Sequence, residues 1–532
     1  GGAGAQQAGG YLGLLQRAQV IRNQYANIAS LGDSVEQLQA AHDAGRIDRF
    51  QVDLARQAWY NAQSQLLNAV AEYETTLDTF KLLYGMPPNL DIRIADPMLD
   101  QFNLLELELA TLRTRVTDLL SMLRGTSDAQ AEEAADDGEG VEVAPEISPA
   151  ELAQLARIAT DIVTAARRQL VVADEDIVKL DAALPARRAG LEKLAKRDDV
   201  RSAGISEDLL APELLNERAA ATKRDLVDLT ARLETPWARL ALLADSTLPA
   251  DRLRGELTGA LTQLSGELLE LSLLQARARL DAITFDPVEL TEEQGYCIAS
   301  RYRRDWMNAR AALVDSWRLI FFNADDLQSG LDLVFNGDIG NVGSNPLSLD
   351  PSNARLQMGL EFDSPLTRLA ERNIYRQSLI EYQQARRTYY QFRDRVHAGI
   401  RDRLRQMRLD ELNFELRRAA VHVAITQVDL ARLRFSEPAR PVAAALPGQT
   451  VNPGGGSQFG DTVARDLVNA LVDLLLVQND FLSVWVDNEV QRMQLDFDLG
   501  TMELDSNGLR IEHKQPLASF AEHLPDPAPC ED

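Results

Sequence analysis

AGRIDRFQVDLARQAWYNAQSQLLNAVAEYETTLDTFKLLYGMP, residues 44–87, is the stretch that dictates the fold. Val52, Trp59, Leu66, Tyr73 and Phe80 recur every seven residues, and Ala55, Ala62, Ala69, Thr76 and Leu83 form a second row three places on. Two such rows are the a and d positions of a coiled-coil seam. A straight helix drifts by roughly 20° per heptad against this repeat, so four heptads predict a left-handed supercoil. The preceding segment repeats the step at Leu14, Ile21, Ile28 and Val35, with Leu31 and Leu38 beside them, and meets the return helix at Ala44-Gly45-Arg46. The pattern predicts a long antiparallel helical hairpin with a glycine turn.

A second copy lies 415 residues on, where Gly45 falls on Gly460 and Gly85 on Gly500. Val52, Trp59, Leu66 and Phe80 map to Leu467, Leu474, Phe481 and Leu495, and Ala55, Ala62 and Ala69 to Ala470, Val477 and Val484. The later seam turns polar toward its end, where Tyr73, Thr76 and Leu83 become Asn488, Gln491 and Asp498. At about 1.5 Å per residue, the stretch between each pair of glycines spans roughly 60 Å, more than an ordinary globular domain needs. The expected object is an elongated rod built twice.

Ahead of the second hairpin the period changes to two. Leu356, Met358, Leu360 and Phe362 alternate with Arg355, Gln357, Gly359 and Glu361, which puts four apolar side chains on one face of a strand. Leu331, Leu333 and Phe335 alternate less cleanly with Asp332, Val334 and Asn336, and a Gly/Pro/Asn-rich stretch over 337–351 joins the two. About 9 to 11 alternating residues suit a tilted transmembrane strand. A soluble hairpin turning at Asn336-Gly337 has the same periodicity.

Helical patterns near 100–124, 150–196, 207–246 and 252–282 fill the middle of the chain. Residues 128–151 carry nine acidic and no basic side chains, as expected of a solvated loop. A Pro/Gly/Ala-rich loop at 438–460 interrupts the later hairpin at its tip, and a Pro-rich tail closes the chain. The most apolar window, 467–486, holds Asn469, Asp473, Gln478, Asn479 and Asp480; one aspartate at mid-bilayer costs about 2.5 to 3.5 kcal/mol, so no helix is expected to span a membrane. Any crossing must use strands.

The 532 residues are 45% apolar and carry 55 basic against 81 acidic side chains, a net charge of -26 that disfavours nucleic acid as a partner. Cys297 and Cys530 lie far apart, so neither a disulfide framework nor a zinc site is expected. His42 reads as a surface residue, and no catalytic triad order, phosphate loop or paired carboxylates can be defended; neither an enzyme, a metal nor a cofactor is expected.

The tip-and-return stretch, its counterpart FGDTVARDLVNALVDLLLVQNDFLSVWVDNEVQRMQLDFDLG, the segment SRYRRDWMNARAALVDSWRLI and the segment LEFDSPLTRLAERNIYRQSLIEYQQARR together resemble the TolC-type outer-membrane efflux protein family. The resemblance covers about residues 11–95 and 286–505. It implies a mainly α fold of long antiparallel coiled-coil hairpins in two repeats, with a strand pair contributing to a trimeric transmembrane β-barrel. It implies a homotrimer in the bacterial outer membrane with its helices in the periplasm. The function implied is passive export of small molecules or proteins, coupled through a periplasmic adaptor (membrane fusion) protein to an inner-membrane transporter.

On that reading residues 1–95 are an incomplete first repeat with its tip at Gly45, and 96–285 are a helical insert. Residues 286–511 form the second repeat, with strands at about 330–362 and a tip loop at 433–464, and 512–532 are a disordered tail. The first strand pair and ascending helix are expected upstream of Gly1, since GGAGAQQAGG looks like the start of a mature product or fragment. The resemblance places a periplasmic gate at Asp466 and Asn469, with Thr462 where the family has an arginine. It places adaptor docking at the tips, Gly45 and Arg46, Gly460 and Asp461, and lipid against Leu356, Met358, Leu360 and Phe362. A solvated helix-start aspartate explains Asp466 equally simply. The alternative is a soluble coiled-coil scaffold whose rods serve protein contacts.

Overall fold

The computed structural model describes residues 9–43, 47–133, 149–244, 249–340, 351–363, 368–436 and 460–511, with single positions 344, 347 and 349, and without positions 203, 206 and 507. The protein is mainly α-helical, with long antiparallel helix pairs and, among the described residues, one two-stranded antiparallel sheet. In chain order the helices are α1 (Gly10–Asp43), α2 (Arg49–Leu83), α3 (Leu107–Glu133), α4 (Pro149–Ala195), α5 (Asp198–Ser202), α6 (Pro212–Ala244), α7 (Ala250–Ala282), α8 (Glu292–Tyr302) and α9 (Arg304–Asp325). Strands β1 (Gly330–Asp338) and β2 (Arg355–Asp363) follow, then α10 (Leu369–Ser436) and α11 (Gly460–Leu499). Contacts group Gly1–Pro287 with Met407–Val490 in one compact unit and Val288–Gln406 with Gln491–Asp532 in a second.

In the first unit α1 and α2 form the expected antiparallel hairpin, with Arg17 3.4 Å from Glu72 and Arg56 donating to Gln39 at 3.1 Å. Val52, Ala55 and Ala62 are buried; Trp59, Leu66, Ala69, Tyr73, Thr76 and Phe80 are half-buried. Leu83 departs from the seam and is 76% exposed. The helix drifts against the heptad, so by its last turns the inward side has passed to Leu77 and Lys81, and the Lys81 ammonium reaches the Pro88 carbonyl at 2.8 Å.

The opposite side of α1 is buried and polar. Gln19 donates to Asn103 at 2.7 Å, Asn23 donates to Asn479 at 2.9 Å, and Arg113 of α3 bonds Ser30 at 3.1 Å and pairs with Asp33. Burial pushes the Asp33 carboxyl up, and the Arg113 charge opposes it. The pairing of these side chains is what makes such a stripe tolerable inside a helical body.

Helices α3, α4, α6 and α7 form a leucine-cored bundle, with Leu109, Leu152, Leu229 and Leu261 fully or almost fully buried. Helix α3 continues to Glu133 and α4 begins at Pro149, so both ends of the stretch expected as an acidic loop are helical; residues 134–148 lie outside the described residues. So do the expected tip at 44–46, the expected tail at 512–532 and most of the tip loop expected at 433–464, of which 433–436 belong to α10 and 460–464 to α11. Within this unit α10 and α11 run antiparallel: Phe414 stacks on Phe481 with centroids 4.5 Å apart, and Arg417 lies 3.1 Å from Asp480. Leu467, Leu474, Phe481 and even Asn488 of the second seam are buried.

In the second unit the segment SRYRRDWMNARAALVDSWRLI, residues 300–320, is divided at Arg303 between α8 and α9. Thr291 starts α8 with a capping box, its hydroxyl accepting from the Gln294 amide at 3.2 Å while the Gln294 side chain accepts from the Thr291 amide at 3.0 Å. Trp306 then packs edge-on to Tyr296 and Phe392 and donates to the Tyr389 hydroxyl at 3.2 Å, tying α9 to α10. Cys297 corrects the sequence expectation, for it is disulfide-bonded. The only other cysteine in the sequence, Cys530, lies outside the described residues.

Candidate functional site

The strand pair has a register that sorts its side chains by face, with Val334 as the one apolar exception. Leu331 pairs with Phe362, Leu333 with Leu360, Phe335 with Met358 and Gly337 with Leu356. Because residues directly opposite in an antiparallel pair share a face, this side carries seven apolar side chains in two facing rows. The other side carries Asp332 opposite Glu361, Val334 opposite Gly359, Asn336 opposite Gln357 and Asp338 opposite Arg355, polar or charged except at Val334. All seven apolar residues are exposed, from 53% at Leu333 to 76% at Leu356.

The register also decides between the two readings of Asn336-Gly337. Both residues are paired inside β1, so the chain turns only beyond Asp338 and Arg355 and there is no tight turn at that dipeptide. An isolated two-stranded sheet is marginal in water unless its apolar face is covered. Nothing among the described residues covers this one. Trp317, Phe321 and Phe322, near the end of α9 and just ahead of β1, are likewise exposed, with Trp317 edge-on to Phe321 at 4.6 Å. Arg368 ties the far side of the junction, pairing with Asp363 and donating to the carbonyls of Asp326 and Gln328.

At the other candidate site, Gly460 is the first residue of α11 and Asp461 and Thr462 follow in its first turn; nothing further is described of those side chains. Asp466 is half-buried and Asn469 exposed, while Ala464, Leu467, Val468 and Leu471 are buried. The two candidate gate residues therefore sit one turn apart, off the buried stripe. Gly45 and Arg46 lie outside the described residues. By length and composition α11 is apolar enough to cross a bilayer, yet more than half of its most apolar stretch is buried inside the protein. Among the described residues no cluster of His, Cys, Asp and Glu is arranged to hold a metal.

The chain is similar to solved outer-membrane channels. The CmeC channel of Campylobacter jejuni matches at 12% identity over 77% of this chain and 71% of its own, with a TM-score of 0.30. VceC of Vibrio cholerae matches at 14% identity over 76% and 95%, with a TM-score of 0.30. The open state of the MtrE channel of Neisseria gonorrhoeae matches at 13% identity over 75% and 88%, with a TM-score of 0.31. These identities lie far below the range in which a substrate or partner carries over, and the TM-scores mark a loose superposition. No protein-family model and no curated protein matches the sequence.

One group of charged residues escaped the sequence reading. Arg187, Asp281 and Arg418 are buried and meet Glu415 and His422 beside a cavity of about 260 Å³ lined in part by Glu411 and Phe285. The available signal was the interruption of the α10 apolar stripe, Met407, Phe414, Val421, Ile425 and Val428, by Asp410 and Arg418. Heptad counting treats such interruptions as noise.

Proposed function

We propose that this chain is a protomer of an outer-membrane exit duct, with the β1–β2 pair entering a transmembrane barrel and the helices standing in the periplasm. The observation that carries the reading is the sorted register: seven exposed apolar side chains on one face of a strand pair, and on the other polar and charged ones with Val334 as the single apolar side chain. Lipid on one side and a water-filled lumen on the other is the environment in which that face is satisfied and the sheet edges close. The exposed aromatic residues just ahead of β1 suit the interfacial girdle of such a barrel, and the disulfide at Cys297 suits an oxidising compartment.

The two strands among the described residues cannot close a barrel by themselves, so the duct is proposed to assemble from several copies, as a homotrimer. Passive export through an adaptor protein and an inner-membrane transporter follows from the same reading. The gate is proposed at Asp466, Asn469 and Thr462, adaptor docking at Gly45, Arg46, Gly460 and Asp461, and the repeat boundaries near residues 95 and 285. The test is expression of the full-length protein, membrane fractionation, and reconstitution of the purified protein into planar bilayers. Outer-membrane recovery and discrete conductance steps are the expected results. A soluble, non-conducting product overturns the duct and favours the coiled-coil scaffold.

A further inference from the structure

The insert meets the second hairpin along α7 and α10, and much of that meeting is ionic. Arg432 pairs with Glu270 and donates to the Gly266 carbonyl at 3.0 Å; Arg277 pairs with Asp429; His422 Nε2 lies 3.0 Å from Asp281. Arg418 donates to the carbonyls of Leu280 and, at 2.9 Å, Ile283. Numbers rise along α7 as they fall along α10, so these contacts form one antiparallel zipper over residues 266–283 and 418–432.

The zipper ends in a clasp. Arg187 of α4 donates to the Asp281 carbonyl at 3.0 Å and pairs with Glu415 at 3.0 Å, and Arg418 lies 3.3 Å from the same Glu415 with its guanidinium 4.8 Å over the Phe414 ring. The last carbonyls of α7 lack intrahelical donors and carry the negative end of its dipole, which two guanidinium groups satisfy. Burial pushes the Arg418 guanidinium down to about 9. Burial also opposes ionisation of Asp281, but the charge and hydrogen bond of His422 and the charges of Arg187 and Arg218 outweigh it and hold the carboxyl below its usual range. The insert's own helices share a leucine core in addition to ion pairs such as Lys223 with Asp181 and Arg279 with Asp176. Charged contacts are directional and can separate pair by pair, whereas removing a single partner of the buried clasp strands an uncompensated charge.

We infer that the insert is a latch: the α7–α10 zipper and its arginine clasp hold the second hairpin in the position seen here, and releasing them frees α10 to move. The consequence for conduction rests on the exit-duct reading, whereas the latch itself does not. The test uses the full chain with Arg187→Ala, and measures amide hydrogen exchange together with conductance in planar bilayers. Exchange over residues 411–432 of α10 should accelerate about tenfold with α1 and α2 unchanged, and single-channel conductance should rise. Should Arg187→Ala fail to fold, the pair Glu270→Gln and Asp429→Asn weakens the more accessible end of the zipper and gives the same readout.

Unchanged exchange overturns the latch, whether or not the protein conducts. Accelerated exchange with unaltered conductance in a conducting protein overturns its role in gating. Accelerated exchange supports the latch even if every form, wild type included, fails to conduct, and that failure overturns the exit-duct reading alone.

Discussion

Leu333 on β1 stands directly opposite Leu360 on β2, with Glu361 next to it on the other face opposite Asp332. Adjacent residues of one strand thus test the two faces of the sheet. Leu360→Arg should impair assembly into the outer membrane, since a cation on the lipid face near mid-bilayer costs roughly 2 to 4 kcal/mol. Glu361→Lys, on the proposed lumen face, should insert normally. Fractionation of both variants checks the pair; normal insertion of Leu360→Arg would reverse or remove the orientation.

Gly85 and Gly500, related by the repeat, both follow a long helix and both adopt a left-handed backbone, at φ 70° and 75°. Their surroundings differ. A Cβ on Gly500 would meet the backbone of Tyr302 at 2.9 Å and of Arg303 at 3.0 Å, whereas one on Gly85 meets open space. Gly85→Ala should therefore cost only the roughly 1 to 2 kcal/mol of the left-handed conformation, and Gly500→Ala clearly more. Thermal unfolding of the two variants side by side decides it; equal losses would mean that the α8–α9 junction does not constrain Gly500.

Burial and the negative charge of Asp410 push the Asp487 carboxyl up to about 6. A carboxyl raised in the folded state binds its proton more tightly there than in the unfolded chain, whose value is near 3.9. Stability is then greatest below about pH 4 as far as this group is concerned, and falls as pH rises to about 6. Asp487→Asn should raise the unfolding temperature at pH 7 to 8 and leave it nearly unchanged at pH 4. A gain of equal size at both pH values would mean that the charge of Asp487 is not the cause.

Asp466 sits half-buried in the second turn of α11. In a trimer three copies facing one axis would favour cations at a constriction. Asp466→Asn should reduce cation preference and block by multivalent cations in single-channel recordings without altering expression or assembly. If selectivity stays fixed while deletion of residues 438–459 raises conductance, the constriction belongs to that loop.

Local period was enough to specify the elements whose neighbours it fixes. Alternation at Leu356, Met358, Leu360 and Phe362 required a strand, and heptads required the α1–α2 and α10–α11 hairpins, because the faces a residue occupies follow from 2.0 or 3.6 residues per repeat alone. The expected helices at 150–196 and 252–282 lie within a residue or two of α4 and α7 for the same reason. Everything set by partners far away in the chain needed the folded protein. Leu83 left its seam because helix drift accumulates against a particular neighbour; Asn336-Gly337 became strand because β2 pairs past it; Cys297 found a disulfide bond. Arg418 and Arg187 acquire their role only where α7 places its last carbonyls against them, since a buried guanidinium is tolerable only where acceptors from other elements surround it.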